Sequence, residues 1–257
     1  MEPHVYQEFN RLEDQHWWFR GRRNYLESLI RTTLGLAKTE RGEPTLEFCE
    51  VGSGTGGNLP MLSQFAIVDV VEMNDEAREI IIAKKLDGIR SVFSGFLPDN
   101  MTHHAQYDAV FSLDVIEHID DDRAALLKLA DYLKRDAWLI TTVPAYQWLW
   151  SAHDDANHHK RRYTKTNYCE LLRSAGYEIH YSSYFNTLLF PLAAISRLIG
   201  RVSSNSDQQV YSGLSLPAKP INTFLQFLFR LESYWAARLS MPFGLSIVVV
   251  AKKTKNT

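Results

Sequence analysis

The feature of this chain that most constrains its fold is an alternation of short apolar runs with helical patterns between Leu46 and Thr142. Helical patterns such as DEAREIIIAKKL and DDRAALLKLADYLK separate several of these runs. Strands that alternate with helices indicate right-handed β–α–β units, whose parallel sheet is covered by helices on both faces. The pattern therefore predicts an α/β protein with a mostly parallel sheet. The apolar runs are LEFCEV, AIVDVVE, SVFS, YDAVFSL and WLITTVP.

Further elements are predicted on both sides of this segment. Apolar residues at helical spacing predict a helix over residues 5–34. The stretch KTNYCELLRSAG predicts another helix, which ends at Gly176, and YEIHYSSYF predicts the strand that follows it. The β-branched run LSIVVVAKK predicts a final strand. Between these last two strands, where a hairpin turn would be enough, the chain has two apolar helical stretches joined by a polar loop.

These elements divide the chain into three predicted parts. Residues 1–44 form an N-terminal helical cover, and residues 45–184 and 243–257 form the sheet domain. Residues 185–242 form a helical insertion with large apolar faces, which could be a lid, a dimer face or a surface that docks on a membrane. The basic residues beside these faces do not decide between the three roles; they are Arg197, Arg201, Arg230 and Arg238.

Composition excludes several classes of protein. The formal net charge of the 257 residues is −2, so no overall positive field attracts nucleic acid. The polar start of the chain does not match a signal peptide, and no apolar run reaches the roughly 18 residues of a membrane span. Two cysteines do not make a disulfide framework, which favours the reduced cytoplasm. Peripheral contact with the inner face of the membrane stays open, as does the oligomeric state.

The stretch EVGSGTGGN follows the first predicted strand and indicates a nucleotide-type ligand. Glycines at 52, 54 and 56 allow a tight turn and a close approach of the backbone to a ligand. Glu72 ends the second strand, where its carboxylate can accept hydrogen bonds from two ribose hydroxyls. Two ligands fit these residues, a nicotinamide dinucleotide and S-adenosylmethionine (SAM), because Gly52, Gly54 and Gly57 also match the dinucleotide pattern.

Three features favour SAM over the dinucleotide. Glu50 stands two residues before the first glycine, the fourth strand leads into LDVIEHIDDD, and the final strand follows two helical segments. With these motifs, the chain resembles class I SAM-dependent methyltransferases of the methyltransferase-11/12 type. More narrowly, it is similar to a bacterial subgroup with HWWF…RR, DVIEHIDDD and HD…H.RRYT motifs, which ends in a sequence like MPFGLS. The resemblance extends from about Gln15 to Lys253.

The resemblance implies a Rossmann-like class I methyltransferase fold with SAM as its cofactor. The expected sheet has seven strands, mostly parallel, with a reversed last strand and the helical insertion between the last two strands. Phe96 departs from the family pattern, which often has an aspartate there for the adenine amino group. The residues expected to bind the cofactor are Glu50, Gly52, Ser53, Gly54, Gly56, Glu72, Met73, Gly95, Phe96, Asp114, Val115, Trp18 and Arg22.

The stretch SAHDDANHHKRRYT follows the fifth strand and allows three interpretations. It could be a metal site, a solvated polar loop or an acceptor site. We favour the acceptor site, in which His153 or His158 takes the acceptor proton and Asp154 orients that histidine. Arg161 and Arg162 would grip an anionic group of the acceptor, with Tyr163 beside them.

Two further points about catalytic groups follow from the sequence. His118 is either a base or a packed structural histidine. The spacing of His153, Asp154 and His158 fits no established zinc pattern, and methyl transfer from SAM requires no metal, so the sequence predicts no metal site.

The expected activity is methylation of an oxygen on a saccharide or lipid-linked precursor, as the subgroup resemblance implies. Two alternatives stay open. One is a small-molecule N- or C-methyltransferase, and the other is a SAM-binding regulatory protein without turnover. The expected partner is therefore a small-molecule or lipid-linked acceptor, anionic if the two arginines grip it.

Overall fold

A twisted sheet of eight strands forms the centre of the computed structural model, which describes residues 3–36, 46–101, 103, 105–195 and 215–254. The strand order is β4-β3-β2-β1-β5-β6-β8-β7, with β4 antiparallel to β3 and β8 antiparallel to both of its neighbours. The strands are β1 Glu47–Val51, β2 Ile67–Glu72, β3 Ile89–Phe96, β4 Asn100–Met101, β5 Tyr107–Leu113, β6 Leu133–Pro144, β7 Tyr177–Phe185 and β8 Ser246–Lys253. The predicted mostly parallel sheet with a reversed last strand is therefore confirmed.

The sheet differs from the seven-stranded prediction at two places. The added strand is β4, a two-residue edge strand that pairs with Gly95 and Phe96. A segment of this length has no recognisable apolar period. The other difference is that β6 begins at Leu133, five residues before the predicted run, with an irregular register next to Tyr107.

Helices cover the sheet at its faces and at one edge. The helices are α1 Pro3–Leu12, α2 Trp17–Leu34, α3 Leu59–Leu62, α4 Asp75–Lys84, α5 Asp122–Ala130, α6 Ala152–Ala156, α7 Lys165–Ser174 and α8 Lys219–Leu231. Residues 190–195 are also helical. The single helix predicted over 5–34 is wrong, because the chain turns between α1 and α2. His16 caps α2 there by accepting a hydrogen bond from the Trp18 N–H at 3.2 Å.

The core consists of two apolar layers, one on each face of the sheet. Neighbouring residues of one strand belong to different layers, as Val110 and Phe111 of β5 do. Leu139 and Ile140 of β6 divide in the same way. Successive side chains of a strand point to opposite faces, so a strand buried on both faces needs an unbroken apolar run. This is why the runs in the sequence predicted the parallel strands.

The second helical stretch of the predicted insertion forms α8, which packs against α2. A Cβ atom at Gly21 would lie 2.5 Å from the Phe229 ring, so the two helices meet in close contact there. Asn222 of α8 accepts a hydrogen bond from the Trp17 N–H at 2.9 Å. Most of the polar loop lies outside the described residues, and so do Arg197 and Arg201. None of the helices in the described ranges has the length and apolar character needed to cross a membrane.

Candidate active site

A cavity of about 980 Å³ opens at the carboxyl ends of the parallel strands. It lies between the glycine loop, the end of β5, the segment after β6 and helix α2. Open α/β sheets bind their ligands at this edge. The volume is at the upper end of the roughly 300–1,000 Å³ typical of small-molecule sites, so two ligands can lie in it side by side.

The glycine loop forms one wall of this cavity, and two of its glycines are required by the geometry. Gly52 has a φ of +74°, and a Cβ atom there would lie 2.5 Å from a methyl group of Val115. Gly54 has a φ of +56° with nothing within 4 Å of its absent side chain, so its backbone borders open space. The loop leads into α3, which has only four residues. The backbone of the loop, and not a long helix, therefore offers the polar contacts.

Two buried carboxylates lie behind the glycine loop. Glu72 accepts hydrogen bonds from the Gly54 N–H at 2.8 Å and the Asn74 N–H at 2.9 Å. Glu50 accepts a hydrogen bond from the Asn58 amide at 2.8 Å, and no described residue forms a hydrogen bond with its second carboxylate oxygen. Burial raises the pKa of Glu72, and it raises the pKa of Glu50 to about 7. Neither carboxylate lines the cavity, so both support the loop from the side that faces away from the cavity.

The residues predicted for the adenosine half of SAM lie outside the cavity wall. Met73 is 65% exposed, and Gly95 and Phe96 belong to the hairpin with β4. Burial, followed by the charge of the nearby Glu72 carboxylate, raises the pKa of Tyr6 in α1 to about 12. Helix α1 therefore covers the end of the site at which Glu72 lies.

The turn between α1 and α2 is fastened to the glycine loop by Glu13. The buried Glu13 carboxylate accepts a hydrogen bond from the Thr55 hydroxyl at 2.6 Å and forms an ion pair with Lys84. Arg23 of α2 donates to the carbonyl oxygens of Gly57 at 3.1 Å and of Glu13 at 2.6 Å. Sequence reasoning missed Glu13, because its neighbours carry no motif and its partners lie far along the chain.

Arg22 and Asp114 meet at the end of β5, so the structure brings together two predicted cofactor residues. The Arg22 Nη2 atom lies 2.6 Å from Asp114 Oδ2 and 3.0 Å from the Thr142 hydroxyl. The guanidinium also lies 5.2 Å from the centre of the Trp18 ring, and its Nε atom has no hydrogen-bond partner among the described residues. Arg22, Trp18 and Asp114 all line the cavity. The cavity wall therefore includes a cation whose Nε donor is not bonded within the described ranges.

A cluster of one carboxylate and two imidazoles lies beside Asp114. Glu117 is fully buried, and no residue of the described ranges forms a hydrogen bond with either of its carboxylate oxygens. Potential ligand atoms of Glu117, His118 and His159 all lie within 4.8 Å of one another. Burial, followed by repulsion from Asp114, raises the pKa of Glu117 well above its usual range. Burial lowers the pKa of His118 to about 4, with His159 adding to the effect.

A backbone hydrogen bond brings His159 to this cluster. The Lys160 N–H donates to the Glu117 carbonyl oxygen at 2.9 Å, which joins the segment after β6 to the end of β5. His158, the residue before, has a φ of +55° and is exposed. The turn at His158 therefore directs His159, and not His158, towards the cavity.

The predicted pairing of Asp154 with His153 or His158 is wrong, because Asp154 bonds to His159. Its Oδ1 atom lies 2.9 Å from His159 Nδ1, and Arg162 donates to both Asp154 oxygens at 2.7 and 2.9 Å. Burial alone would raise the pKa of Asp154, but the hydrogen bonds from His159 and Arg162 outweigh it, and the pKa lies well below its usual range. The carboxylate is therefore ionised and fixed.

The predicted grip of adjacent arginines on one anion is also wrong. Arg162 lines the cavity, but its guanidinium is taken up by Asp154. Arg161 does not line the cavity and forms an ion pair with Asp122 at 2.9 Å, and the Tyr163 hydroxyl donates to the same carboxylate. Consecutive residues of extended backbone point to opposite sides, so the two arginines face different partners.

The polar residues that line the cavity also include His153, Asn157 and Asn186. The Asn157 amide lies 3.3 Å from the His153 ring nitrogens. Asn186, directly after β7, is fully buried, and its amide has no hydrogen-bond partner among the described residues. Sequence reasoning missed Asn157 and Asn186. The only sequence signal for them is their position at or near the carboxyl ends of strands.

This order of strands with a reversed last strand is the class I methyltransferase fold, with a cavity at the edge where that fold binds its ligands. A family model described as "Methyltransferase domain" matches residues 18–182, more than half of the 257 residues. The chain therefore belongs to this family and is a class I SAM-dependent methyltransferase, with S-adenosylmethionine as its cofactor. A search of the curated proteins finds no match. The narrower bacterial subgroup stays a prediction.

Several solved structures share the fold. One is the complex between the Haloferax volcanii Trm112 methyltransferase activator and a methyltransferase, with 16% identity, a TM-score of 0.59 and coverage of 98% of this chain and 96% of that one. Another is a SAM-dependent methyltransferase of Thermotoga maritima, titled a possible histamine N-methyltransferase, with 20% identity, a TM-score of 0.56 and coverage of 97% and 99%. A third is a Haemonchus contortus phosphoethanolamine N-methyltransferase in complex with S-adenosylhomocysteine, with 16% identity, a TM-score of 0.55 and coverage of 90% and 52%.

Proposed function

We propose that this methyltransferase methylates a hydroxyl oxygen of a saccharide or lipid-linked acceptor. The observation that carries the proposal is the set of polar side chains that line the cavity. They include the histidines His118, His153 and His159 as well as Arg22 and Asp114. A hydroxyl must lose its proton as the new carbon–oxygen bond forms, whereas a neutral amine needs no base to attack. Histidine is the side chain best suited to take that proton near neutral pH.

Residues that line the cavity also suit SAM. The Arg22 Nε atom, which has no hydrogen-bond partner among the described residues, is a donor that fits the methionine carboxylate. Glu72 accepts the Gly54 N–H behind the loop and so positions the loop backbone along the cofactor. The open space at Gly54 allows the cofactor to approach the backbone. SAM supplies a methyl group on a positively charged sulfur, so the protein mainly supplies alignment. Alignment alone can contribute about 7–11 kcal/mol to lowering the barrier.

We assign the role of proton acceptor to His153. This histidine is half-buried, lines the cavity and is not the imidazole that Asp154 holds. During transfer, the bond between sulfur and the methyl carbon breaks as the oxygen–carbon bond forms. The hydroxyl proton then moves to a His153 ring nitrogen, and water takes it from there. His158 is exposed and lies outside the cavity wall, so it has no part in this step.

A lipid-linked acceptor is supported by apolar side chains on the predicted helical insertion of residues 185–242. Several of these side chains are more than half exposed, although they belong to apolar faces. Exposed apolar groups of this kind can contact a membrane surface or a lipid chain. They include Leu192, Ile195, Ile221, Phe224, Phe227 and Leu239. Purified protein should sediment with phospholipid vesicles, and Leu192→Ser with Phe224→Ser should reduce the bound fraction.

Mass spectrometry of products from a panel of hydroxyl and amine acceptors tests the activity. Methylated hydroxyl product is expected with wild-type protein. With His153→Ala, kcat should fall by about 10²–10⁴-fold and the acidic limb of the pH profile should disappear. His180→Ala is the matched control, since His180 is exposed on β7 and packs on Trp138 away from the cavity. Equal kcat values for the His153 variant and wild type would overturn the assignment.

A second candidate is methylation of an amine nitrogen, favoured by the aromatic and acidic character of one wall. Trp17, Trp18 and Phe19 line the cavity together with the buried Glu117 carboxylate. Aromatic faces and a carboxylate attract a cationic ammonium group, which would lose its proton to water before the neutral nitrogen attacks the methyl group. In that case methylated amines should accumulate, Glu117→Gln should raise the acceptor KM, and His153→Ala should have little effect.

A further inference from the structure

We propose that Glu117, His118 and His159 bind a divalent transition-metal ion at the wall of the cavity. The ligand atoms of the three side chains lie within 4.8 Å of one another. One carboxylate with two imidazoles is a common ligand set for zinc and its neighbours in the first transition row. Three protein ligands leave at least one coordination position open, and all three residues line the cavity.

The buried carboxylate is the second observation that points to a cation. Glu117 has no exposed surface, and within the part of the chain that the structure describes both of its carboxylate oxygens are without hydrogen-bond partners. A buried carboxylate in that state is strongly unfavourable unless a positive charge or a donor satisfies it. Arg162 does not supply this charge, because its guanidinium is bonded to Asp154. A metal ion between Glu117 and the two imidazoles would satisfy the carboxylate.

The surroundings of His159 orient its ring for metal binding. Nδ1 lies 2.9 Å from Asp154, and Nε2 lies 4.0 Å from the Glu117 carboxylate. A carboxylate that accepts the Nδ1 proton leaves a lone pair on Nε2, which is the arrangement seen around histidine ligands of metals. Asp154 is itself held by Arg162 and by the Ser151 N–H at 2.9 Å. The imidazole is therefore fixed before any ion arrives.

His118 has a similar support. Its side chain forms a hydrogen bond with the backbone of His158, and its ring centre lies 4.7 Å from that of His159 in a perpendicular arrangement. The backbone bond between Lys160 and Glu117 holds the two segments together at this place. The three ligands thus come from two segments whose relative position is set by a main-chain contact, which is a requirement for a preformed site.

The ion would act on the acceptor, and this part of the inference rests on the proposed function. A hydroxyl oxygen at the open coordination position would be held in the same cavity as the methionine group of SAM. A bound metal ion also lowers the pKa of an oxygen ligand, so the proton would pass more easily to His153. The sequence predicted no metal site, whereas this proposal places one at Glu117, His118 and His159, a ligand set that the sequence did not reveal.

Metal binding is tested without any acceptor. Tag-free full-length protein is stripped with a chelator and titrated with Co²⁺ and Zn²⁺, with and without SAM, by calorimetry and visible absorption. About one ion per chain is expected, with d–d bands of Co²⁺ bound to nitrogen and oxygen. Glu117→Gln should weaken binding by more than the roughly 10–100-fold typical for loss of a supporting partner. Asp154→Asn should weaken binding within that range.

His158→Asn is the matched control, because it removes the neighbouring imidazole, keeps a residue that tolerates the positive φ of this turn, and should leave metal affinity unchanged. The metal proposal is overturned if the wild-type protein binds SAM but no ion, or if Glu117→Gln binds Co²⁺ as tightly as wild type. Circular dichroism and SAM titration of each variant establish that it is folded. If the ion binds but only amines are methylated, the proposed O-methylation fails and the metal site stands.

Discussion

Arg22 of α2 and Asp114 at the end of β5 form an ion pair of 2.6 Å, which ties the N-terminal helices to the ligand edge of the sheet. The Arg22 side chain is 6% exposed and that of Asp114 is 25% exposed. The pair therefore has two roles, since it fixes α2 over the cavity and orients the unpartnered Nε atom of Arg22. Changes at either residue should affect both stability and SAM affinity.

Asp114→Asn should lower the free energy of unfolding by about 1–3 kcal/mol, because the buried Arg22 guanidinium loses its charged partner. Urea denaturation of wild type, Asp114→Asn, Arg22→Met and the double variant measures this. The double variant should be less destabilised than the sum of the two single changes. Strict additivity would show that the two side chains do not interact.

The glycine loop should discriminate between side chains at position 54. Gly54 has a positive φ and open space around it, so Gly54→Asn should fold without strain, since asparagine tolerates this conformation. Gly54→Val should lower the free energy of unfolding by about 1–3 kcal/mol, because a β-branched residue is strained at this φ. Both variants should weaken SAM binding, because their side chains occupy the space through which the cofactor approaches the backbone. Urea denaturation measures the strain, and calorimetry with SAM, and with NAD as the ligand that should not bind, measures the affinity. Equal stability of the two variants would contradict the strain argument.

Glu50 should make stability depend on pH. Its pKa is about 7 in the folded chain, compared with 4.5 for an ordinary glutamate, so the folded state holds its proton more tightly than the unfolded state. The corresponding stability is present below pH 4.5 and is lost as the pH rises to about 7. The loss is on the order of 3 kcal/mol, from 1.36 kcal/mol per pKa unit.

Glu50→Gln provides the control for this prediction, because glutamine has nearly the same shape and does not titrate. Chemical denaturation at several pH values between 4.5 and 8 should show a smaller loss of stability for the variant than for wild type. Other buried acids cancel in the difference between the two proteins. Parallel curves would rule out a raised pKa for Glu50.

The packing of helix α8 against α2 should depend on the absence of a side chain at position 21. Gly21→Ala places a Cβ atom 2.5 Å from the Phe229 ring, and overpacking of this kind typically costs about 1–3 kcal/mol. The same change in a Phe229→Leu background should cost less, because the smaller side chain vacates the space. Thermal unfolding of the four proteins measures this coupling. A cost that is the same in both backgrounds would mean that α8 does not pack on α2 in solution.

The strands were predictable because a strand buried on both faces needs a continuous apolar run. The run YDAVFSL is an example, and its residues lie in β5 as expected. The break between α1 and α2 was not predictable, since it depends on Glu13, whose partners Thr55 and Lys84 lie far away in the sequence. Periodicity records which face of an element is buried, and it does not record long-range polar contacts.

The site was predictable by segment, but not by side chain. The sequence predicted SAHDDANHHKRRYT, after the fifth strand, as an acceptor site, and the structure places His153 and Arg162 of this segment at the cavity. It chose His158 instead of His159, because adjacent histidines look equivalent until the positive φ of His158 is known. The arginine pair was misassigned for a related reason, since Asp154 and Asp122 are separate partners.

The position of β8 between β6 and β7 has a consequence for shortened versions of this chain. Removal of residues 246–253 would expose the facing edges of β6 and β7, which β8 covers with antiparallel pairing along its whole length. Unpaired strand edges are templates for pairing with other chains. Truncation before residue 246 should therefore produce aggregates during expression, and not a weakened but monomeric protein.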